Sequence, residues 1–458
     1  MTGSFQLNKT KIARRSLMSG AVMLGGSAAL AAVVPSFSLA TADAAEEIGP
    51  KRILHSATAF TSQNLVETSA ESKGVRFSKD YLSNKVFQDQ PLNFGPATPV
   101  HIDGKTLEVG ALVQPSGDLL FRIYAPDAKE VRMKVSTGPA HIREFILTKQ
   151  GDGIFSGLLS YDENVTGPAY VQVYVDGAIF LDPYLPIRWA GSGPRNIVEI
   201  PDSEQEFTLI KDVPHGAVGR EIFWVDALKS WERYFVYTPA GYVKSTKEFP
   251  VLYLQHGGGE NETTWVYTGR AAHILDNLIA EGKAEPFIVV MNNGMVRYRS
   301  SAANVYDEAF ERMLIEGCIP HLEKNYRVKT DKWNRAIAGL SMGCYQSCDI
   351  AFRHPEMFGS LGTLNASMTH ETFPTTYERP YPTVMKDPET FAKNYKLYFR
   401  STMPGEDHFP YFLADDKICA NAGIDRLPSY HRIVYPERTS KENGWRMGLR
   451  DFSLLLFR

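Results

Sequence analysis

Residues Arg335-Ala336-Ile337-Ala338-Gly339-Leu340-Ser341-Met342-Gly343 constrain the fold of this 458-residue chain more than any other stretch. A short apolar run enters Gly-x-Ser-x-Gly, and Cys344, Cys348 and Phe352 then follow at helical spacing. The pattern predicts a strand, a tight turn and a helix. Such a turn lifts a serine hydroxyl above a sheet only where its neighbours, here Gly339 and Gly343, carry no side chain to clash. Ser341 is therefore the candidate nucleophile, and a chance Gly-x-Ser-x-Gly would lack this strand and helix context.

The rest of the chain divides by rhythm. Lys9, Lys11, Arg14 and Arg15 precede an apolar run from Leu17 to Val34, and small residues follow around Ser38 to Ala42. Residues 1–44 thus read as a signal peptide, and Arg14-Arg15-Ser16-Leu17 resembles the twin-arginine type, which implies export to the periplasm or beyond. An uncleaved membrane anchor is the alternative, and no later segment is apolar and long enough to span a bilayer. Residues 45–95 are polar and end in Pro91, with Pro96 and Pro99 just beyond, as in a leader or linker. From 96 to 205 short β-rich runs (119–124, 131–135, 155–159, 170–175) alternate with turns such as Gly151-Asp152-Gly153, the rhythm of a β-sandwich. From 206 to 458 the pattern becomes α/β. Val251 to Leu254, Phe287 to Met291, Leu361 to Leu364, Leu397 to Phe399 and Arg432 to Val434 read as strands of a doubly wound, mostly parallel sheet. Its helices include one from about Val305 to Lys324 and a terminal one from about Trp445. Sites of such sheets lie at the carboxyl ends of the strands.

Composition excludes several functions. A net charge of −3 favours neither nucleic acid nor an anionic surface. Four irregularly spaced cysteines, 318, 344, 348 and 419, make neither a disulfide framework nor a zinc site, and no cofactor motif stands out.

After the strand ending at Leu254 comes Gln255-His256-Gly257-Gly258-Gly259. Gly258, with Gly259 next in line, is the expected donor that joins the Met342 amide in an oxyanion hole, and His256 is expected to brace the loop. Tyr237-Thr238-Pro239, the segment from Pro250 to Gly259, Ile319-Pro320-His321-Leu322-Glu323 with Tyr326-Arg327-Val328, and Arg335 to Gly343 together resemble the feruloyl and acetyl-xylan esterases of the esterase-D-like α/β-hydrolases. Phe121 to Ala128, Val175-Asp176-Gly177 and Leu181-Asp182-Pro183 resemble an early-set immunoglobulin-like module related to glycogen-binding modules. In that module Tyr184 and Trp189 either stack on sugar or pack a domain junction. The resemblance implies serine-based hydrolysis of an acetyl or aromatic ester on a saccharide, without metal or organic cofactor.

Gly405-Glu406-Asp407 fits the family's acid loop, which makes Asp407 the expected second triad member. The base histidine of these relatives stands five positions before a Trp-Arg pair. Counting back from Trp445-Arg446 reaches Ser440. Only His408 and His431 follow Asp407. His431 lies roughly 13 Å back along the last strand at the usual rise, too far from Ser341, and His408 becomes the candidate base. Cys344 replaces a glycine common in the relatives. Trp265 and Asn292, with Asn293, are candidates to line the substrate site. Three functions remain open: an esterase with a recruited base, a saccharide-binding protein that has lost catalysis, and an acyl transferase. Oligomeric state is not legible.

Overall fold

Period-two alternation builds the β domain between residues 99 and 200. The computed structural model describes residues 99–458 except 103, 139–140, 192, 297–307, 370–380 and 437–439; the signal-peptide and leader readings at 1–44 and 45–95 lie outside the described residues. The first twelve strands are β1 (Pro99–Ile102), β2 (Lys105–Glu108), β3 (Gly110–Val113), β4 (Leu119–Tyr124), β5 (Val131–Gly138), β6 (His141–Ile146), β7 (Thr148–Lys149), β8 (Ile154–Leu159), β9 (Gly167–Val175), β10 (Ala178–Phe180), β11 (Ile187–Ala190) and β12 (Gly193–Ile200). Beyond the β1–β2 hairpin they form two antiparallel sheets, β3-β4-β8-β7 and β11-β12-β9-β5-β6, the latter with β10 on β9. Leu119, Phe121 and Ile123 of β4 and Val131, Met133 and Val135 of β5 point inward and are buried, and the residues between them face out. Phe155, Val171 and Val198 complete the core that the two sheets share. Burying one face of each sheet is what holds this β domain together.

Eight further strands follow: β13 (Ala217–Val225), β14 (Ser230–Thr238), β15 (Val251–Gln255), β16 (Ile288–Asn292), β17 (Arg335–Gly339), β18 (Ser360–Thr363), β19 (Leu397–Thr402) and β20 (Tyr430–Val434). They form one sheet in the order β13-β14-β16-β15-β17-β18-β19-β20, antiparallel at β13 and β14 and parallel from β16 onward. Every residue of β15, β16 and β17 is buried, because apolar cores cover both faces of the sheet. That is why these strands read as unbroken apolar runs.

Two helix boundaries differ from expectation. The helix expected over 305–324 is described from Ala309 to Asn325, with a π-helical stretch at Met313–Cys318. The terminal helix begins at Lys441, four residues before Trp445, since Ser440 caps it by accepting the Asn443 amide and Glu442 sits in the first turn.

The β domain rests on that terminal helix. The described residues fall within one compact unit. The Ser440 amide donates to the Thr166 carbonyl at 2.9 Å, and the Asn443 side-chain amide donates to Asp202 at 2.9 Å. Gly167 has φ 92°, and a Cβ there would meet the Asn443 amide nitrogen at 2.4 Å, so glycine is required by both conformation and space. Glu199 of β12 takes Arg446 of the terminal helix at 2.5 and 3.1 Å and Arg270 at 2.9 Å. Burial would raise the Glu199 carboxyl, but the two guanidinium groups outweigh it and hold it below its ordinary value. Arg446→Met is expected to leave Glu199 half-compensated at about 3 kcal/mol, seen as a fall of several degrees in the unfolding midpoint. A shift within one degree would mean the two parts are held by something else.

Candidate functional site

Ser341 follows β17 and precedes the helix Met342–Arg353, with φ 46° and ψ −120°. This is left-handed backbone that a non-glycine residue adopts only where the surroundings enforce it. Those surroundings are visible. A Cβ on Gly339 would lie 2.4 Å from the Gly343 carbonyl, and one on Gly343 would lie 2.5 Å from the His256 carbonyl oxygen. Neither glycine has positive φ. Both are needed for close approach, which lets the strand, turn and helix pack in one place and leaves the serine half-buried.

β15 runs parallel to β17 with Gln255 opposite Gly339, so the glycine loop after β15 emerges beside the serine. Gly258 is exposed, and a Cβ on it would sit 3.9 Å from the Met342 Cβ. Among the described residues neither the Gly258 nor the Met342 amide donates to another backbone carbonyl. Two amides without internal partners beside a strained serine can receive an oxygen that gains negative charge. The loop is held from behind. His256 is buried, its Nδ1 lies 2.8 Å from the Gly257 carbonyl and its Nε2 accepts the Gly294 amide at 2.8 Å. Burial lowers this imidazole to about 4, so it stays neutral and braces the backbone. Glu260 accepts the Gly257 amide at 2.8 Å, and burial pushes its carboxyl up to about 7.

His408 stands in the loop after β19, and its Nε2 lies 3.1 Å from the Ser341 hydroxyl. That is hydrogen-bond reach for a base. The partner of the other ring nitrogen differs from expectation. Nδ1 is 2.7 Å from the Tyr345 hydroxyl, and the two rings meet edge to face at 5.8 Å. Asp407 is exposed and is not the group on Nδ1. Neighbouring residues on a bend point apart, and here the inward carboxylate of the acid loop is Glu406, which accepts the Asn365 amide at 2.7 Å. Burial pushes Glu406 up to about 7. Ser440, the position at which the sequence resemblance leads to the expectation of a base histidine, is buried as a helix cap beneath Thr166.

Trp265 and Asn292 do not reach the site. Trp265 is buried in the core with its indole N–H on the Gln255 carbonyl at 2.8 Å, so it supports the glycine loop from within. Asn292 ends β16 fully buried and accepts the Cys318 thiol at 3.1 Å. Cys344 donates to the Ser367 carbonyl at 2.8 Å, and all four cysteines are free thiols. The space above Ser341 is a cavity of about 420 Å³, walled on one side by Gly257, Gly258, Leu340 and Lys441 and on the other by the β domain. The sequence reading missed Tyr345. It lies four residues after Ser341, and residues four apart share a helix face, so the spacing was the available signal.

Serine reactivity tests the geometry. Tyr345→Phe removes the oxygen that fixes the ring tautomer, and labelling of Ser341 by a fluorophosphonate is expected to slow at least tenfold. A rate within twofold of wild type would assign the ring's orientation to another group. Glu260 gives a pH test. Its folded value, about 7, lies above the ordinary 4.5. Its contribution is therefore fully present below about pH 4.5 and is lost as pH rises through 7, on the order of 3 kcal/mol. Glu260→Gln keeps an acceptor for the Gly257 amide and is expected to flatten that loss between pH 5 and 8 in thermal unfolding. Parallel curves for the two proteins would refute the assignment.

Comparison with known proteins finds esterases. Residues 226–403 match the putative esterase family, a span that contains Gly258, Ser341 and Met342 and ends before Asp407 and His408. An endo-1,4-beta-xylanase/feruloyl esterase of Xylanibacter ruminicola is 40% identical over 266 residues, covering 56% of this chain and 36% of that protein. Endo-1,4-beta-xylanase Y of Acetivibrio thermocellus is 33% identical over 123 residues, 24% of this chain and 10% of the relative. The chain thus spans 36% and 10% of the lengths of these two relatives. The enterobactin esterase of Shigella flexneri has a similar fold, with a TM-score of 0.52 at 12% identity over 74% of this chain and 94% of that one. The chain carries an esterase-like α/β-hydrolase.

Proposed function

We propose that this protein hydrolyses a carboxylic ester, with Ser341 as nucleophile and His408 as its base. The observation that carries the reading is the 3.1 Å approach of His408 Nε2 to the hydroxyl of a serine in left-handed backbone. Nε2 takes the Ser341 proton as Oγ attacks the ester carbonyl. The carbonyl oxygen becomes an oxyanion that the Gly258 and Met342 amides receive. Collapse of this intermediate expels the alcohol, which takes the proton from His408. Water, deprotonated by the same imidazole, then attacks the acyl-serine, and collapse frees the acid and restores Ser341.

The likeness to an endo-1,4-beta-xylanase/feruloyl esterase supports feruloyl esters on a plant saccharide as the substrate class; acetyl esters and an early-set immunoglobulin-like module for the β domain rest on the sequence motifs, the latter in keeping with two antiparallel sheets about one core. Export by the twin-arginine route rests on Arg14-Arg15 and the apolar run after them. No helix among the described residues is long and apolar enough to cross a membrane.

Ser440 favours a second reading, saccharide binding without turnover, since the segment that holds the base in the relatives is here a buried cap. Hydrolysis of 4-nitrophenyl acetate and methyl ferulate separates the two. Ser341→Ala and His408→Ala are each expected to cost about 10⁴-fold in kcat. Equal rates for wild type and Ser341→Ala would leave only binding.

A further inference from the structure

The wall of the cavity opposite Ser341 is the outer face of a β-domain sheet. Lys134 and Ser136 on β5 alternate with the core residues Met133 and Val135, and Tyr170 and Gln172 on β9 alternate with Val171. Register places Lys134 beside Gln172 and Ser136 beside Tyr170, and Arg195 on β12 joins them at the cavity. Sheet faces turned to water carry such residues routinely. This face is turned to a half-buried serine.

The charges around the cavity are unequal. Lys134, Arg195 and Lys441 line it, with Glu260 as the one carboxylate of the lining among the described residues. Lys441 is answered by Glu442, Glu406, Glu260 and Asp407, which overcome burial and raise its ammonium above the ordinary value. Glu260 is engaged with the Gly257 amide, and burial keeps its carboxyl near 7. The β-domain cations have no such answer. Glu144, opposite Lys134 in register, pairs with Arg132. Arg195 donates Nε to the Ala190 carbonyl at 3.0 Å and packs against Gly191, where a Cβ would meet its terminal nitrogen at 2.8 Å. Neither Lys134 nor Arg195 forms an ion pair among the described residues.

We propose that the ester received by this cavity carries a carboxylate, held by Lys134 and Arg195 of the β domain at a distance from the scissile bond. This rests on Ser341 being the nucleophile that faces the cavity. A fixed guanidinium and a mobile ammonium suit a carboxylate through charge-assisted hydrogen bonds. The carboxylate can belong to the alcohol half, as in a sugar acid, or to the acyl half, as in a half-ester of a diacid. In either case the β domain selects the substrate.

Two pairs of matched esters locate the charge. Phenyl acetates bearing a para carboxylate or its methyl ester vary the alcohol half, and phenyl adipates with the far carboxyl free or methylated vary the acyl half. Binding to Ser341→Ala is measured by calorimetry, and kcat/KM is measured with wild type. In one pair the charged form is expected to be favoured at least tenfold at low ionic strength, and the preference is expected to fade in 1 M salt. Lys134→Glu and Arg195→Gln are each expected to cut the charged-to-neutral ratio about tenfold. Equal binding of charged and neutral forms in both pairs would overturn the proposal, as would a ratio that Lys134→Glu leaves in place. If wild type hydrolyses nothing yet Ser341→Ala keeps the charge preference, the esterase reading fails and the anion site stands.

Discussion

The positive φ of Ser341 is the constraint on which the rest of the site depends. A β-carbon in left-handed backbone is unfavourable by about 1 kcal/mol or more, so the turn persists only because its neighbours leave no other path. β15 and β17 lie in register, the His256 carbonyl occupies the space over Gly343, and Gly339 lies flush against the first turn of the helix. Each contact involves backbone that cannot move without parting two central strands. The strain at one residue is therefore carried by the core of the eight-stranded sheet, where apolar side chains fill both faces. The serine hydroxyl and the Met342 amide are positioned by the sheet, and loop flexibility has little part in it.

That arrangement was legible in the sequence because it depends on small residues and on period. Gly-x-Ser-x-Gly between an apolar run and a helical pattern, and a glycine loop after the preceding parallel strand, are local signals that the sheet then brings together. The partners of the serine were less legible. Asp407 and His408 are adjacent in the chain, and which of two neighbours turns inward is decided by a bend whose geometry depends on β19, Asn365 and the terminal helix. The histidine was reached by elimination. Its partner Tyr345 belongs to the nucleophile's own helix, a residue type that the search for a carboxylate passed over. Trp265 and Asn292 were misplaced for a related reason. Asn292 ends β16, where one residue of register decides whether a side chain points to the cavity or into the core, and Trp265 lies in the short helix Thr264–Tyr267, whose buried face turns it into the core.

The β domain is part of the site's architecture. Its attachment runs through Thr166, Asp202 and Glu199 to the terminal helix, and that helix is capped by Ser440, the position where the sequence resemblance leads to the expectation of a base histidine. The two facts are connected. A residue that caps a helix and sits beneath the Thr166 carbonyl has no room for an imidazole that must reach the serine. With the β domain docked on this segment, the loop after β19 is where an imidazole reaches the serine. The β domain also closes the cavity with a polar sheet face where an isolated hydrolase would open to solvent.

Replacing a carboxylate by a phenol behind the base changes what the base can do. An aspartate on Nδ1 fixes the tautomer and also stabilises the imidazolium that forms when the serine loses its proton. Tyr345 can do the first by accepting the Nδ1 hydrogen, which leaves Nε2 free to take the serine proton. With a neutral oxygen it does little of the second. His408 also stands at the N-cap position of the helix Phe409–Asn421, with its ring turned to Ser341 and Tyr345 and not to the helix amides. A neutral phenol leaves the charge that develops in the transition state to other groups of the site. The transition state must then draw more on the oxyanion donors and on binding energy remote from the reacting bond. A substrate gripped across the cavity by the β domain supplies that remote binding energy, so the phenol behind the base and the added wall act on the same transition state.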